Sequence, residues 1–210
     1  MGITERKEKQ KTELKKMILD ASMKLFIEEG FEKVSIRRIA DLIEYSPTTV
    51  YLYFKDKNEI LFHLHQEGFR KMQEYNQNLK QIANPLLRLH KMGENYLHFG
   101  LENPEYYDLM FLQSAPMETI LCSSGDCEWI EGDKALDQLR IILSECMENG
   151  LIVKGDVNAV AMVIWGMVHG LVSLAIRRRF EKLVPEGQVY GMMEQSLNWL
   201  LNTMDASMKK

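Results

Sequence analysis

Cysteine is rare in this 210-residue chain: Cys122, Cys127 and Cys146 make an odd count. Without an export signal they form no disulfide framework and read as reduced thiols. Four residues separate Cys122 from Cys127, not the two usual for zinc or thioredoxin-like chemistry, and no histidine stands near them. A redox- or metal-sensing role for that pair stays as the weaker alternative. No Gly-rich phosphate loop, HExxH or GxSxG occurs, so no enzyme, cofactor or metal site is expected. The start of the chain, charged from Glu5 to Lys16, has no apolar run of the kind a secretory leader needs, which makes the cytoplasm the expected location. Only five prolines and thirteen glycines are present. Most fall between periodic apolar stretches, which leaves room for long helices and makes an all-α fold the expectation.

What is present is 46% hydrophobic residues, enough for a sizeable core, and a net charge of −4 that is unevenly spread. Residues 1–58 hold 12 Lys+Arg against 10 Asp+Glu, whereas residues 59–210 hold 14 against 20. A mildly basic head on an acidic body is compatible with nucleic-acid binding confined to the head.

Apolar periodicity and caps predict nine or ten helices and no strand. The first runs from about Leu14 to Glu29, with Ile18, Ala21, Leu25 and Phe26 on one face, and Gly30 ends it. Ser35 caps a short second helix that buries Ile39, Ala40 and Ile43 and turns Arg37 and Arg38 outward. Ser46-Pro47 opens a third, to about Tyr53. Asp56 and Glu59 have capping-box spacing at the head of a fourth, which is expected to reach Gln81. Asn84-Pro85 and Asn103-Pro104 start two more, ending near Leu101 and Ala115. Residues 114–126 read as a loop. Helices follow from Trp129 to Glu148, from Asp156 through a long apolar stretch, and from about Val189 to Leu201.

Two short helices joined by a tight turn at Glu44-Tyr45, with a third packed before them, describe a helix-turn-helix unit about residues 35–54. The wording is more specific than the geometry: Leu25-Phe26, Gly30-Phe31, Val34-Ser35-Ile36-Arg37-Arg38-Ile39-Ala40, Ser46-Pro47-Thr48-Thr49-Val50-Tyr51-Leu52-Tyr53-Phe54-Lys55-Asp56-Lys57 and Ile60-Leu61. Without gaps from about Lys15 to Leu64, this resembles the DNA-binding domain of the TetR family. The resemblance implies a ligand-responsive, homodimeric transcriptional regulator, usually a repressor. It implies that residues 1–58 bind double-stranded operator DNA and residues 59–210 form a helical ligand-binding and dimerisation domain. Carried over by position, Ser35 would hold a phosphate and Arg37 would reach a base edge or phosphate. Ser46, Pro47, Thr48 and Thr49 would face the groove, while Tyr51, Tyr53, Lys55 and Lys57 would clamp the backbone. One departure stands out. Glu44 takes the turn position where the family has glycine, at a cost of roughly 1 kcal/mol if its φ is positive.

From Val157 to Ile176 no residue is charged, and Arg177-Arg178-Arg179 follows. By length and flanking charge this matches a membrane span. A helix apolar all round also arises where one face lines a core and the other a partner subunit. Trp165-Gly-Met-Val-His169-Gly170 resembles the C-terminal domain of one branch of the TetR family, named for its Trp, His and Gly. That resemblance favours the soluble reading with no membrane, and it implies a dimer bundle from about Asp156–Phe180 and Glu186–Met204. Tyr96, Phe99, Met110, Phe111, Trp165 and His169 are the candidate lining of a pocket for a small hydrophobic or aromatic effector.

Overall fold

The computed structural model describes residues 2–113, 130–185 and 187–204. Among them the chain is all-α, with nine α-helices and no strand. The helices are α1 (Ile3–Glu29), α2 (Ile36–Leu42), α3 (Pro47–Tyr51), α4 (Lys57–Tyr75), α5 (Pro85–Glu102), α6 (Pro104–Tyr107), α7 (Ile130–Glu148), α8 (Val157–Ile176) and α9 (Val189–Met204). They fall into two compact units, one of residues 2–67 and 108–113, the other of residues 68–107, 130–185 and 187–204.

The first unit is built on α1. Ile18, Leu25 and Phe26 meet Ile39 and Ala40 of α2, Val50 of α3, and Ile60, Leu61 and Leu64 of α4 in a buried core. Ser22 is buried among them and donates to the Ile18 carbonyl at 2.7 Å, so its hydroxyl costs little. The helix begins at Ile3, well before Leu14. Apolar periodicity shows a helix only where it is packed, whereas Lys, Glu and Gln propagate one on propensity alone. Lys9–Glu13 at 3.8 Å and Lys16–Asp20 at 2.6 Å add i,i+4 pairs along that stretch.

Three helix ends differ from expectation. The third helix stops at Tyr51, although Tyr53 and Phe54 still donate to the Val50 carbonyl at 2.9 and 3.1 Å. The fourth stops at Tyr75 and not at Gln81. Buried Asn95 explains this stop: its amide donates to the Tyr75 carbonyl at 2.7 Å and to Asn76 Oδ1 at 3.0 Å, satisfying a helix end that a longer helix would close itself. The helix opened by Asn103-Pro104 gives only α6, after which Asp108–Leu112 widens into a π-helix closed by Gln113 N–H to the Asp108 carbonyl at 3.1 Å. Ala115, Trp129, Cys122 and Cys127, and the expected loop around them, lie outside the described residues.

In the second unit α5 packs against α7, α8 and α9. Two glycines permit the close approach. A Cβ on Gly93 would stand 2.8 Å from Leu197 of α9, and one on Gly100 would stand 2.3 Å from Val172 of α8. Ala161, Ile164, Val168 and Val172 form the buried stripe of α8. Its other side stays exposed in the single chain, with Val163 at 60% and Leu174 at 44%.

Candidate nucleic-acid interface and buried polar network

The helix-turn-helix is set by two side-chain caps. Ser35 Oγ accepts the Arg38 N–H at 3.2 Å to start α2. Ser46 Oγ accepts the Thr49 N–H at 3.1 Å to start α3, with Pro47 in the first turn where no N–H is missed. Between them Glu44 sits at φ +60°, the left-handed geometry glycine adopts freely. The turn is held by Glu44 N–H to the Asp41 carbonyl at 3.3 Å and Tyr45 N–H to the Ala40 carbonyl at 3.0 Å.

Val50, fully buried, fixes which side of α3 faces outward. Thr48 and Tyr51 are exposed on that side, Pro47, Thr49 and Tyr53 are half-buried, and Leu52 is 77% exposed. The Thr49 hydroxyl is paired with that of Ser46 at 2.9 Å, so Thr48 has the freer side chain. Arg38 is drawn back to Glu29, with Nη2 2.8 Å and Nε 3.0 Å from one carboxylate oxygen, whereas Arg37 stays exposed. The two basic residues after α3 differ in the same way. Lys55 is exposed, while the Lys57 ammonium donates to the Phe31 and Glu32 carbonyls at 3.1 and 3.3 Å and lies 4.4 Å from the Phe31 ring centre. Lys57 ties the head together. The capping box is half formed: Asp56 Oδ1 accepts the Glu59 N–H at 2.8 Å, but Glu59 reaches one residue further back, to the Lys55 N–H at 2.6 Å.

The six aromatic, Met and His candidates do not share one setting. Met110 and Phe111 belong to the first unit, where Met110 is buried and its carbonyl bonds the buried His65 imidazole. Burial depresses the pKa of His65 to about 4, only partly opposed by that bond. Phe99, in the second unit, is core, edge-on to Tyr75 at 5.9 Å. Tyr96, Trp165 and His169 do come together, around a residue the sequence did not single out. Trp165 Nε1 donates to the Tyr96 hydroxyl at 3.2 Å, which is 3.0 Å from the Tyr107 hydroxyl, itself 2.7 Å from His169 Nδ1. The Tyr107 ring stacks on His169 at 5.6 Å. Burial raises the pKa of both phenols and lowers that of His169, so all four groups are neutral near pH 7. Trp165 and His169 are one helical turn apart and legible as a pair. That Tyr107 meets them from α6 has no signal in sequence.

Comparison with known proteins accounts for most of the chain. Residues 18–64 match the family described as "Bacterial regulatory proteins, tetR family", and residues 89–202, more than half of the chain, match "Tetracyclin repressor-like, C-terminal domain". The chain is 32% identical over 168 residues to the fatty acid metabolism regulator protein of Bacillus subtilis, covering 79% of this chain and 84% of that protein. It is 27% identical over 122 residues to an uncharacterized HTH-type transcriptional regulator of Haemophilus influenzae, covering 57% of this chain and 65% of that relative's length. Among solved structures, the TetR family transcriptional regulator PfmR of Thermus thermophilus has a TM-score of 0.67 at 22% identity, covering 88% of this chain and 97% of that one. All three are named as regulators, two of them as regulators of transcription. With a capped helix-turn-helix inside the first match and the helical body inside the second, the chain belongs to the tetR family of DNA-binding transcriptional regulators.

Proposed function

We propose that this protein is a cytoplasmic homodimeric repressor, held on a near-palindromic operator by residues 1–58 and released when a small hydrophobic effector binds within residues 59–210. The observation that carries the dimer is the uncovered apolar side of α8 and α9. Val163 and Trp199 are 60% and 70% exposed, and a Cβ on Gly166 or Gly170 would meet nothing within 4 Å in the single chain. Patches of this kind on a soluble chain are interaction surfaces, and a glycine pair lets two helices approach closely. Two copies related by a two-fold axis would present their third helices to successive major grooves, roughly 34–36 Å apart or a multiple of it, so the operator would repeat its half-site in inverted order.

On the DNA, Thr48, Thr49 and Pro47 would meet base edges. Ser35, Arg37, Ser46, Tyr51, Tyr53 and Lys55 would hold backbone or groove, and Lys57 would act by holding the head in shape, with at most its remaining N–H for a phosphate. The effector would sit by Tyr96, Trp165 and His169, with Phe99 as a wall, where neutral hydrogen-bonding groups are embedded among apolar ones. The name of the Bacillus subtilis relative, a fatty acid metabolism regulator, favours an acyl chain over an aromatic compound. Release requires the effector to favour a dimer with wrongly spaced heads, and a coupling of roughly 1–3 kcal/mol suffices.

Selection of bound sequences from a random duplex pool is the test. An inverted repeat that binds with lower affinity when a long-chain fatty acid or its thioester is added supports the proposal, whereas no enriched sequence refutes it. Lys55→Ala should weaken binding to all sequences and lower the salt slope by about 0.9, one phosphate. Thr48→Ala should shift the selected sequence instead.

A further inference from the structure

The last residue of α5 is a carboxylate, Glu102. At that end of a helix a negative charge works against the helix dipole, and among the described residues no lysine or arginine pairs with it. Helix stability therefore does not explain Glu102, and with 59% of its side chain exposed neither does packing. Its two oxygens face two neighbours instead. Oε2 accepts the Tyr75 hydroxyl at 2.6 Å, and Oε1 lies 3.6 Å from Nδ1 of His98, one turn back on α5. The other nitrogen of that ring, Nε2, is 2.8 Å from the Tyr190 hydroxyl, and the two ring centres are 4.6 Å apart.

The directions of these bonds agree along the row. The carboxylate places the imidazole proton on Nδ1, which leaves Nε2 to accept the Tyr190 O–H. At the other end Asn103 Nδ2 donates to the Tyr75 oxygen at 3.1 Å, whose own proton goes to Glu102. The row thus runs from Tyr190, in the first turn of α9, to Tyr75, the last residue of α4. Both ends are placed to matter. The fourth helix begins in the first unit and ends in the second, where Asn95, Phe99 and Glu102 of α5 hold Tyr75 by its carbonyl, its ring and its hydroxyl. The ninth carries Met192 and Trp199, 45% and 70% exposed, on the side left uncovered in the single chain. Asn95, Phe99 and Glu102 form one stripe of α5, and His98 with Glu102 forms the next, so Glu102 stands where the two stripes join.

We propose that Glu102 is a positioning residue for operator binding: by bridging Tyr75 to His98 and Tyr190 it keeps the end of α4 in a fixed register against α9. Polar contacts this exposed add little to stability. They are directional, however, and a register is what direction can set. The inference rests on the dimeric, operator-binding function proposed above.

Tyr75→Phe and Tyr190→Phe each remove one hydroxyl, at opposite ends of the row, and keep the rings that lie against Phe99 and His98. With the full chain on its selected operator, each should lower affinity by about 2- to 12-fold, the worth of one hydrogen bond. The double variant should lose no more than the more affected single variant, and in a Glu102→Ala background neither change should have a further effect. Sedimentation velocity and urea unfolding of the same proteins separate this from a merely structural role, which would lower association or stability and leave the affinity of the folded dimer unchanged. Wild-type affinity in both single variants, or losses that multiply in the double variant, overturns the proposal. Imidazole nitrogen NMR above neutral pH reads the bridge without DNA: the His98 proton should sit on Nδ1 in the wild type and redistribute in Glu102→Ala. Identical His98 signals in the two proteins overturn the bridge even if the wild type selects no operator, an outcome that would by itself remove the operator-binding function.

Discussion

Gly100 is the tightest point between α5 and α8, and Gly100→Ala tests that crossing directly. Its added Cβ would lie 2.3 Å from Val172 Cγ1 and 3.1 Å from both Val172 Cγ2 and Tyr107 Cδ2, against roughly 3.5–4.0 Å for a comfortable carbon contact. Val172 is fully buried and β-branched, with one strongly favoured rotamer in a helix, so it cannot swing aside cheaply. The helices must part or the valine must leave its rotamer, at about 1–3 kcal/mol. Val172→Ala alone should cost about 2 kcal/mol, from two methyl groups at about 0.8 each and a small cavity. In the double variant the methyl added on α5 enters the space the valine vacates. The pair should therefore cost about 2 kcal/mol, where additivity predicts about 4, and that coupling far exceeds the usual scatter of about 0.5 kcal/mol. Urea unfolding followed by circular dichroism measures all four proteins, at one fixed concentration because association contributes to apparent stability. A Gly100→Ala protein within about 0.5 kcal/mol of the parent, or strict additivity, would falsify the proposed crossing.

Val163→Glu and Trp199→Glu, on the exposed side of α8 and α9, should give folded monomers in sedimentation velocity. Leu197→Glu, by contrast, should unfold the chain, since Leu197 is wholly buried against Gly93. Replacing Glu44, at φ +60°, by glycine relieves about 1 kcal/mol of left-handed strain but frees the unfolded chain. A net gain of about a few tenths of a kcal/mol is expected in urea unfolding, and a clear loss would contradict the strain argument. His65, fully buried with its pKa lowered from 6.5 to about 4, is neutral in both states above pH 6.5. As pH falls from there the unfolded chain takes up the proton first, so stability should drop by up to about 3 kcal/mol by about pH 4 and then level off. His65→Leu should flatten that decline. Equal pH dependence in the two proteins would show that other groups cause it.

Part of the candidate site was legible because capping and turn chemistry are local. Ser35 and Ser46-Pro47 cap helices where residue type alone placed them, and the positive φ at Glu44 falls where the resemblance puts a glycine. The roles of individual basic groups were not legible. Lys55 and Lys57 are two residues apart and chemically identical, yet only Lys57 is held by the Phe31 and Glu32 carbonyls, residues distant in sequence that the fold brings back to it. The aromatic and methionine stripe shows the same limit. Trp165 and His169 share a helical face by arithmetic, whereas Tyr107 completes their network because Asn103-Pro104 restarts the chain as a helix of one turn that delivers it there. Met110, three residues further, belongs to the first unit instead.

Periodicity and caps by themselves determined an all-α chain, the order of its helices and the helix-turn-helix between residues 35 and 54, since each depends on residues within a turn or two of one another. Tertiary structure alone decided where α4 stops and which apolar residues became core. Leu197 lies against Gly93 in the interior, whereas Trp199, on the same helix and just as apolar, stays open to a partner. The reason is that burial belongs to the neighbour and not to the residue: the stripe of a helix follows from its own sequence, but what the stripe faces is set by other elements of the chain or by another copy of it.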